Sequence, residues 1–544
     1  MSVLLFLVIA GLSGTASLLV RTRRRWSTAF AITGLALMAA AATTIEPAAA
    51  IRIGGTMLAS SDWLRLYALL GSIVGLLLVA VDASALHEPD VPGTLVLGIA
   101  AAVLALALAD PGIAVIAATA GGLAGILVAA PVGAAARAAF VGVRELRAVA
   151  IAGALAIIAA AWLARPLDDL MAVPAAFGLA YLTFAIAVAI RFGAIPFHLW
   201  AARLADSAPG VALPLLMAWG PAAFAAVALV WIDRSVAPLA LSFGNERSVI
   251  AAIGAIGVVL GILAAWIQDD LEHVVGYTIA ADAGFVVLAL AGFDPGVWEP
   301  SRIWLLVFVV GRSAFAAWVV AIHGGFGTRR LPELAGWARR APGLALALIV
   351  IAVAAVGWPG LVAWQARSAL AHLALPDVLA TLVSAAPVAS TAIYGRILWV
   401  GLHRTGAAVR DGRSEHPGWP TPRPRRPMVG VSGVERLLER LSHGFAAILD
   451  ILWALPAAAR LNRAPLASLA VLALAGLSFA VSGGGLGVPQ AARAAPVIPE
   501  TGPAVVPTPG PSSTPVPSSP ATPAPTPGIT FQPIGGGSSP EASG

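Results

Sequence analysis

Cysteine and lysine are both missing from the 544 residues of this chain. Without cysteine the protein has no disulfide bond, thiolate metal site, iron–sulfur cluster or cysteine nucleophile. Without lysine, all 33 residues in the combined lysine and arginine count are arginine. Only 11% of the residues are charged and 59% are apolar, and the mean hydropathy is +0.89. This composition predicts a polytopic membrane protein that lies in a lipid bilayer.

Sequence motifs of the common enzyme chemistries are also missing. The chain has no Walker A loop, no glycine-rich dinucleotide fingerprint on a strand, no HExxH and no GxSxG. We therefore predict no catalytic centre of its own, no cofactor and no metal site. The formal charge of +6 does not indicate binding of nucleic acid, because the arginines gather in a few loops between hydrophobic segments.

Long apolar runs predict about fourteen membrane helices, since each run can cross ~30 Å of hydrocarbon. The runs lie at about 3–20, 27–49, 64–83, 92–109, 112–131, 147–163, 173–192, 209–232, 248–267, 274–292, 304–322, 343–373, 377–401 and 465–482. The first run lacks a basic region before it and is followed by arginines at 21–25, so we interpret it as a retained helix rather than a signal peptide.

The distribution of arginine predicts the orientation of the chain. If the loop at 21–25 is cytoplasmic, alternate loops should be basic, and those at 137–147, 324–342 and 402–433 carry several arginines. The cytoplasmic loops at 82–90 and 268–273 lack arginine. We predict a multi-pass protein of a bacterial-type cytoplasmic membrane with both termini extracytoplasmic.

An interrupted hydrophobic segment at Arg191–Pro221 organises the chain, with the sequence RFGAIPFHLWAARLADSAPGVALPLLMAWGP. A membrane helix that is broken at proline frees backbone groups, which protein or a water-filled cavity must satisfy. An ionisable residue at such a break indicates a functional site. The segment resembles the signature K-x-G-x-x-P-F-H-x-W…A-P of the antiporter-like membrane subunits of respiratory complex I and of the related Mrp-type cation/proton antiporters.

Four further segments are similar to that family. Gln268–Gly284 resembles Q-T-D-L-K-R-L-L-A-Y-S-S-I-S-H-x-G, and Leu334–Pro342 resembles L-A-G-L-x-R-x-x-P. Gly357–Arg367 resembles the break G-x-P-P-x-x-G-F-x-x-K, and Ala109–Gly121 resembles the stretch with the glutamate of the fifth helix. The order and spacing of these segments extend the resemblance over roughly residues 92–400.

The resemblance implies an all-α membrane bundle with an inverted repeat and with breaks in helices 7 and 12. It divides the chain into five parts. These are N-terminal membrane helices at 1–91, an antiporter-like proton-translocation core at 92–401, a basic cytoplasmic loop at 402–433, an amphipathic helix with the last membrane helix at 434–484, and a disordered Pro/Ser/Thr-rich tail at 485–544.

The family's proton relay consists of buried ionisable groups in helices 5, 7, 8 and 12, and this sequence departs from it at every position. The glutamate of helix 5 falls on Thr119, and the lysine of helix 7 falls on Arg191. The helix 8 position falls on Pro221, or on Gly220 if the register slips by one, and the helix 12 position falls on Arg367. Arginine keeps its charge where a desolvated lysine can lose a proton. Arg191 and Arg367 can therefore order water, satisfy carbonyls freed at a helix break or pair with an acid, but they cannot relay protons by titration.

Other ionisable groups remain as proton-path residues. Glu272 and His273 replace a Lys-Arg pair of the family, and a solvated turn at a helix end is the alternative interpretation. Asp282 lies inside helix 10, where either a function or a buried pair with an arginine such as Arg312 or Arg367 would explain it. His198 follows the helix 7 break, where it either joins a proton path or bonds to freed carbonyls.

Three hypotheses about function follow. The first is a non-redox membrane subunit of a NADH-quinone oxidoreductase-type or Mrp-type assembly, proton-translocating by family but with a degenerate relay. The second is a paralogue that conducts nothing and serves as a scaffold for partner subunits. The third is a stand-alone secondary transporter that binds an anion through Asp282 and the arginines. The first two require other membrane subunits as partners, and none involves nucleic acid.

Overall fold

The computed structural model describes residues 3–85, 88–129, 136–163, 173–205, 208–232, 243–292, 295–403 and 463–485. Residues 404–462 and 486–544 lie outside the described residues, and with them most of the expected basic loop, the amphipathic helix and the Pro-rich tail. The described helices of eight residues or more are α1 Val3–Leu19, α2 Arg24–Thr43, α3 Asp62–Ser84, α4 Val91–Ala107, α5 Pro111–Ala129, α6 Ala136–Leu163, α7 Pro174–Phe192, α8 Gly220–Trp231, α9 Gly244–Trp266, α10 Leu271–Ala291, α11 Trp298–Phe326, α12 Pro342–Val356, α13 Val362–Ala374, α14 Asp377–Ala385, α15 Thr391–Leu402 and α16 Arg463–Ser482.

Shorter helical turns connect several of these helices. The α-helical turns are Ala201–Leu204 and Trp337–Arg340, a π-helical turn spans Leu215–Trp219, and the 3₁₀ turns are Phe197–Leu199, Pro295–Val297, Leu331–Leu334 and Ala386–Ser390. Because lipid offers backbone groups no hydrogen-bond partner, helices are the structure that apolar runs of this length adopt in a membrane.

Eight stretches of the described chain are long and apolar enough to cross a membrane by their length and composition. They lie in α2, α3, α6, α7, α9, α10, α11 and the α14–α15 stretch, and six shorter apolar helices accompany them in α1, α4, α5, α8 with its π-helical turn, α12 and α16. The helical, polytopic character of the chain is confirmed, whereas the number of fourteen crossings stays a prediction.

The centre of the bundle is α11, which is buried along its apolar length. It packs against α3, α10, α12, α13 and α16. Next to it, α9 and α10 approach closely because glycine faces glycine: a Cβ atom on Gly254 would lie 2.8 Å from the Gly284 carbonyl oxygen. Small residues permit such close approach of helices in lipid.

A β-hairpin departs from the expected all-α fold. Strands β1 (Ala50–Ile53) and β2 (Thr56–Ala59) pair antiparallel, with Ala50 opposite Ala59. Gly54 closes the turn with φ of 58°, a left-handed conformation that suits glycine. The predicted run 27–49 was too long, because α2 ends at Thr43. The continuation TIEPAA contains Pro47, which a helix interior does not tolerate, and it leads into the hairpin instead.

Ion pairs join loops that the topology prediction places on one side of the membrane. Arg21 pairs with Asp90 at 3.2 Å, which connects the α1–α2 loop with the segment before α4. Arg329 Nε pairs with Asp270 at 2.8 Å, and Arg396 pairs with Asp269, so the start of α10, the segment after α11 and α15 share a face. Which face meets the cytoplasm stays a prediction.

Candidate functional site

The first helix break follows α7. Gly193 ends α7 in a left-handed conformation with φ of 61°, and its N–H bonds to the Ile190 carbonyl at 3.0 Å. Trp200 Nε1 donates to the same carbonyl at 3.0 Å. The Trp200 indole, and not His198, is therefore the side chain that bonds to the Ile190 carbonyl. His198 lies in the 3₁₀ turn between Gly193 and Trp200.

Arg191 lies in the last turn of α7 and is 2% exposed. Its Nη1 donates to the Leu216 carbonyl at 3.3 Å. The guanidinium fits between two glycines: a Cβ atom on Gly122 of α5 would lie 2.5 Å from Nη2, and one on Gly220 would lie 3.1 Å from it. Within the described residues no carboxylate lies within 4 Å of Arg191, so it is a buried fixed charge.

The second irregularity is the π-helical turn Leu215–Trp219 before α8. Pro221 has no N–H and cannot donate to a carbonyl of the preceding turn. Arg191 bonds to the Leu216 carbonyl in the preceding turn. The Tyr67 hydroxyl donates to the Trp219 carbonyl at 2.7 Å, and the Trp219 indole donates to Ser313 Oγ at 3.0 Å, so these bonds hold the π-helical turn to α3 and α11.

The second helix break separates α12 from α13, as the resemblance implies for helix 12. Gly357 ends α12 with φ of 56°. Arg367, which is fully buried, reaches back from α13 and donates Nη2 to the Val356 carbonyl at 2.6 Å and to the Gly357 carbonyl at 2.9 Å. Its guanidinium carbon lies 5.5 to 5.8 Å from the ring centroids of Phe285, Trp304 and Trp364. The interpretation of Arg367 as a group that satisfies freed carbonyls is confirmed.

Asp282 forms a buried ion pair with Arg312. Arg312 Nε donates to Asp282 Oδ2 at 2.6 Å, and the two side chains are 4% and 8% exposed. Arg312 Nη1 also donates to the Tyr394 hydroxyl at 3.0 Å, and the Trp304 indole donates to the Asp282 backbone carbonyl at 3.2 Å. The expected arginine partner is thus confirmed, and a role of Asp282 in a proton path stays a prediction.

Glu272 and His273 lie at the start of α10. The Asp270 carboxylate caps the helix by accepting from the Glu272 N–H at 2.9 Å. The alternative of a solvated turn is wrong for Glu272, which is 4% exposed and pairs with Arg329. His273 is more accessible, with its Nδ1 3.9 Å from Asp270. The helix end is therefore an ionic cluster and is separate from the Asp282 pair.

His198 and Thr119 take part in none of the ion pairs described above. The His198 ring lies 6.1 Å from the ring of Tyr277, and its buried Nδ1 has no hydrogen-bond partner among the described residues. Thr119 Oγ1 donates within α5 to the Val115 carbonyl at 2.8 Å, and its methyl group packs against Gly153 of α6. Neither contact shows a proton path. The proton-path role of His198 and the loss of the relay group at Thr119 therefore stay predictions.

The structure adds a buried acid that the sequence did not single out, Glu145 on α6, which is 0% exposed. The span there was predicted to start at 147, whereas α6 begins at Ala136. The acid directly before the apolar run, in RELR, is the signal that could have identified it. Tyr394 was missed as well, because a tyrosine on an apolar helix carries no sequence sign of its partner.

Taken together, the site consists of three separate groups. Asp282, Arg312 and Arg367 form one group, since the Trp304 indole donates to the Asp282 carbonyl and its ring lies 5.5 Å from the Arg367 guanidinium carbon. Arg191 with its glycines forms the second, and the cluster around Glu272 forms the third. Within the described residues, no group of three or more histidine, aspartate or glutamate side chains is placed to hold a metal ion.

Comparisons with known proteins agree with these features. A family described as "NADH:quinone oxidoreductase/Mrp antiporter, TM" matches residues 148–392. NADH-quinone oxidoreductase subunit N 2 of Rhizobium meliloti is 27% identical over 197 residues, which is 36% of this chain and 39% of that protein. The match therefore spans about two fifths of the length of this curated relative.

Solved structures match a larger part of the chain. A chain of respiratory complex I from Thermus thermophilus with bound aureothin matches with a TM-score of 0.63 and 19% identity, over 89% of this chain and 98% of that chain. A chain of the Mrp complex from Dietzia sp. DQ12-45-1b matches with a TM-score of 0.61 and 19% identity, over 89% and 95%. At this identity the likeness shows the fold alone.

Proposed function

Because the chain belongs to the antiporter-like membrane subunit family of respiratory complex I and Mrp-type antiporters, we propose that it is a non-redox membrane subunit of such an assembly. We further propose that it conducts few or no protons itself. In this proposal it lies in a bacterial-type cytoplasmic membrane with both termini extracytoplasmic, and other membrane subunits are its partners.

The observation that carries the proposal is the way in which two buried arginines occupy the relay positions. Arg191 and Arg367 each donate to carbonyls at a backbone irregularity. Arg191 packs against two glycines, and Arg367 packs against aromatic rings. Arginine remains protonated at neutral pH. The other two relay positions, Thr119 and Pro221, carry no ionisable group, so the matched relay has no member that exchanges protons.

Assembly with partners is supported by the extent of the shared fold. The matched chains belong to respiratory complex I and to the Mrp complex, and each match covers 89% of this chain. The helix breaks at Gly193 and Gly357 are retained although the titratable groups are not. A subunit that keeps the architecture but loses the relay can still hold its neighbours in place.

A rival path through Asp282, Glu272 and His198 would let the subunit conduct. The ion pair opposes it, because the Asp282 carboxylate is already bound to Arg312 Nε inside the bundle. Glu272 is likewise paired, with Arg329. The anion-transporter alternative predicts activity without partners, and the fold match to subunits of large assemblies does not favour it.

The test has two parts. Extraction in mild detergent should leave other membrane subunits bound to this chain, and purification of the chain alone with full transport activity would contradict the proposal. The purified assembly is then placed in vesicles, and proton uptake is compared between the unaltered protein, Asp282→Asn and His198→Ala. We expect similar, low uptake through this subunit in all three. Substantial uptake that both substitutions abolish would show that the rival path conducts.

A further inference from the structure

The two helix breaks place polar atoms deep in the described bundle. Arg191 Nε, Arg367 Nε and Nη1, and His198 Nδ1 are buried and have no hydrogen-bond partner among the described residues. Buried polar groups of this kind are the ones that internal water satisfies. Irregular backbone at membrane depth is also tolerated where it lines a hydrated cavity. Each break is therefore a place in the described bundle where water, and with it cations, can enter.

A positive charge that stays fixed lies at each break. Arg191 has no carboxylate within 4 Å among the described residues, and Arg367 bonds to carbonyls rather than to an acid. Asp282 and Arg367 both contact Trp304, but Arg312 already balances the charge of Asp282, so the three groups together keep one positive charge. Each break thus carries a net positive charge of about one in surroundings of low dielectric constant.

From this arrangement we propose that Arg191 and Arg367 are an electrostatic barrier that excludes protons and metal cations from the two helix breaks. The inference rests on the proposed function and extends it, because it names what keeps the subunit from conducting. A unit charge about 5 Å away, at an effective dielectric constant of about 20, lowers the occupancy of a monovalent cation by about three hundredfold. An arginine in a pore excludes cations by the same physics.

The barrier requires arginine, because another cationic side chain such as lysine would not keep its charge at every pH. A buried lysine loses its proton as its surroundings become less polar, and the barrier would then fail with rising pH. The glycines at 122 and 220 admit the planar guanidinium, and the carbonyls of Leu216, Val356 and Gly357 hold the two arginines in position. The two arginines therefore keep their charge and are held in position, as such a barrier requires.

The experiment measures passive leak in vesicles that contain the purified assembly. A membrane potential is imposed with potassium and valinomycin, and proton and sodium entry are followed with fluorescent indicators. We expect Arg191→Gln and Arg367→Gln to raise the leak at least tenfold and the double variant to raise it further. Arg65→Gln, which alters a half-exposed arginine paired with Asp62, is the matched control and should leave the leak unchanged.

Lysine variants keep the test decisive if the glutamine variants do not fold. Arg191→Lys and Arg367→Lys should resemble the unaltered protein at pH 6 and become leaky as pH rises to 9, while the unaltered protein stays tight. Folded glutamine variants as tight as the unaltered protein, or lysine variants with no pH dependence, would overturn the inference. By contrast, uptake by the unaltered protein that Asp282→Asn abolishes would contradict the proposed function, so the two failures are distinguishable.

Discussion

Gly122 on α5 lies so close to Arg191 on α7 that a Cβ atom would be 2.5 Å from Nη2. We expect Gly122→Ala to destabilise the folded protein by about 1–3 kcal/mol, since overpacking a tight interior costs that much. Arg191→Lys should relieve the clash, because lysine has no second terminal nitrogen. Thermal unfolding in detergent measures both effects. Gly276→Ala is the control, since its nearest neighbour is Met217 Cε at 3.8 Å, and equal losses in the two alanine variants would contradict the prediction.

The second prediction concerns the buried pair of Asp282 and Arg312. Asp282→Asn leaves Arg312 without its counter-charge, and breaking a buried pair costs about 3–5 kcal/mol. Glu272→Gln should cost less, because its partner Arg329 is 28% exposed and can turn toward water. The yield of folded protein and its thermal stability measure the difference.

A double variant separates the pair from other effects of these substitutions. Asp282→Asn with Arg312→Gln should lose less stability than the sum of the two single variants, because neither charge is then left alone. Additive losses would show that the two side chains do not depend on each other.

The sequence predicted the helices where the apolar runs are long, and it predicted the helix breaks where proline and glycine interrupt a run. The apolar runs located the helices to within a few residues at most positions, and Gly193 and Gly357 marked the two breaks. The sequence could not show what each arginine touches, because the partners of Arg191 and Arg367 are backbone carbonyls that carry no residue signature. Packing between distant segments decides those contacts.

Two errors have a common physical cause. The hairpin at 50–59 and the early start of α6 both lie beyond the ends of apolar runs, where the topology prediction expects loops outside the hydrocarbon. There, water or protein can satisfy the backbone, so apolar content alone no longer decides the structure. Glu145 was missed for the same reason, since arginines on either side of it indicate a loop.

The third prediction concerns topology. The native chain has no cysteine, so single introduced cysteines can be labelled without background. A cysteine at Gly55, in the exposed turn of the hairpin, should react with an impermeant reagent in intact cells. A cysteine at Arg330, which is 71% exposed after α11, should react only after the cells are permeabilised. The reverse pattern would mean that the predicted orientation is wrong, and a cysteine in the tail at 510–530 should behave like the one at Gly55.

The last prediction is that titratable groups at the four relay positions give this subunit proton uptake that it otherwise lacks. The variant combines Thr119→Glu, Arg191→Lys, Pro221→Lys and Arg367→Lys. Gly153 lies so close to the methyl group of Thr119 that a Cβ atom on it would be 2.2 Å away, so the glutamate side chain has to extend away from Gly153. Lysine at 191 can still donate to the Leu216 carbonyl, and lysine at 221 returns the backbone N–H that proline lacks.

The matched control carries Thr119→Gln with the same three lysines, so that shape and positive charge are kept while the acid is lost. We expect uptake in vesicles at pH 7 to rise at least tenfold in the glutamate variant and to stay near the unaltered level in the control. Both variants must first elute as folded protein with their partner subunits. If both conduct equally, the lysines alone cause leak. If neither conducts although both fold and assemble, the missing relay groups are not what limits this subunit.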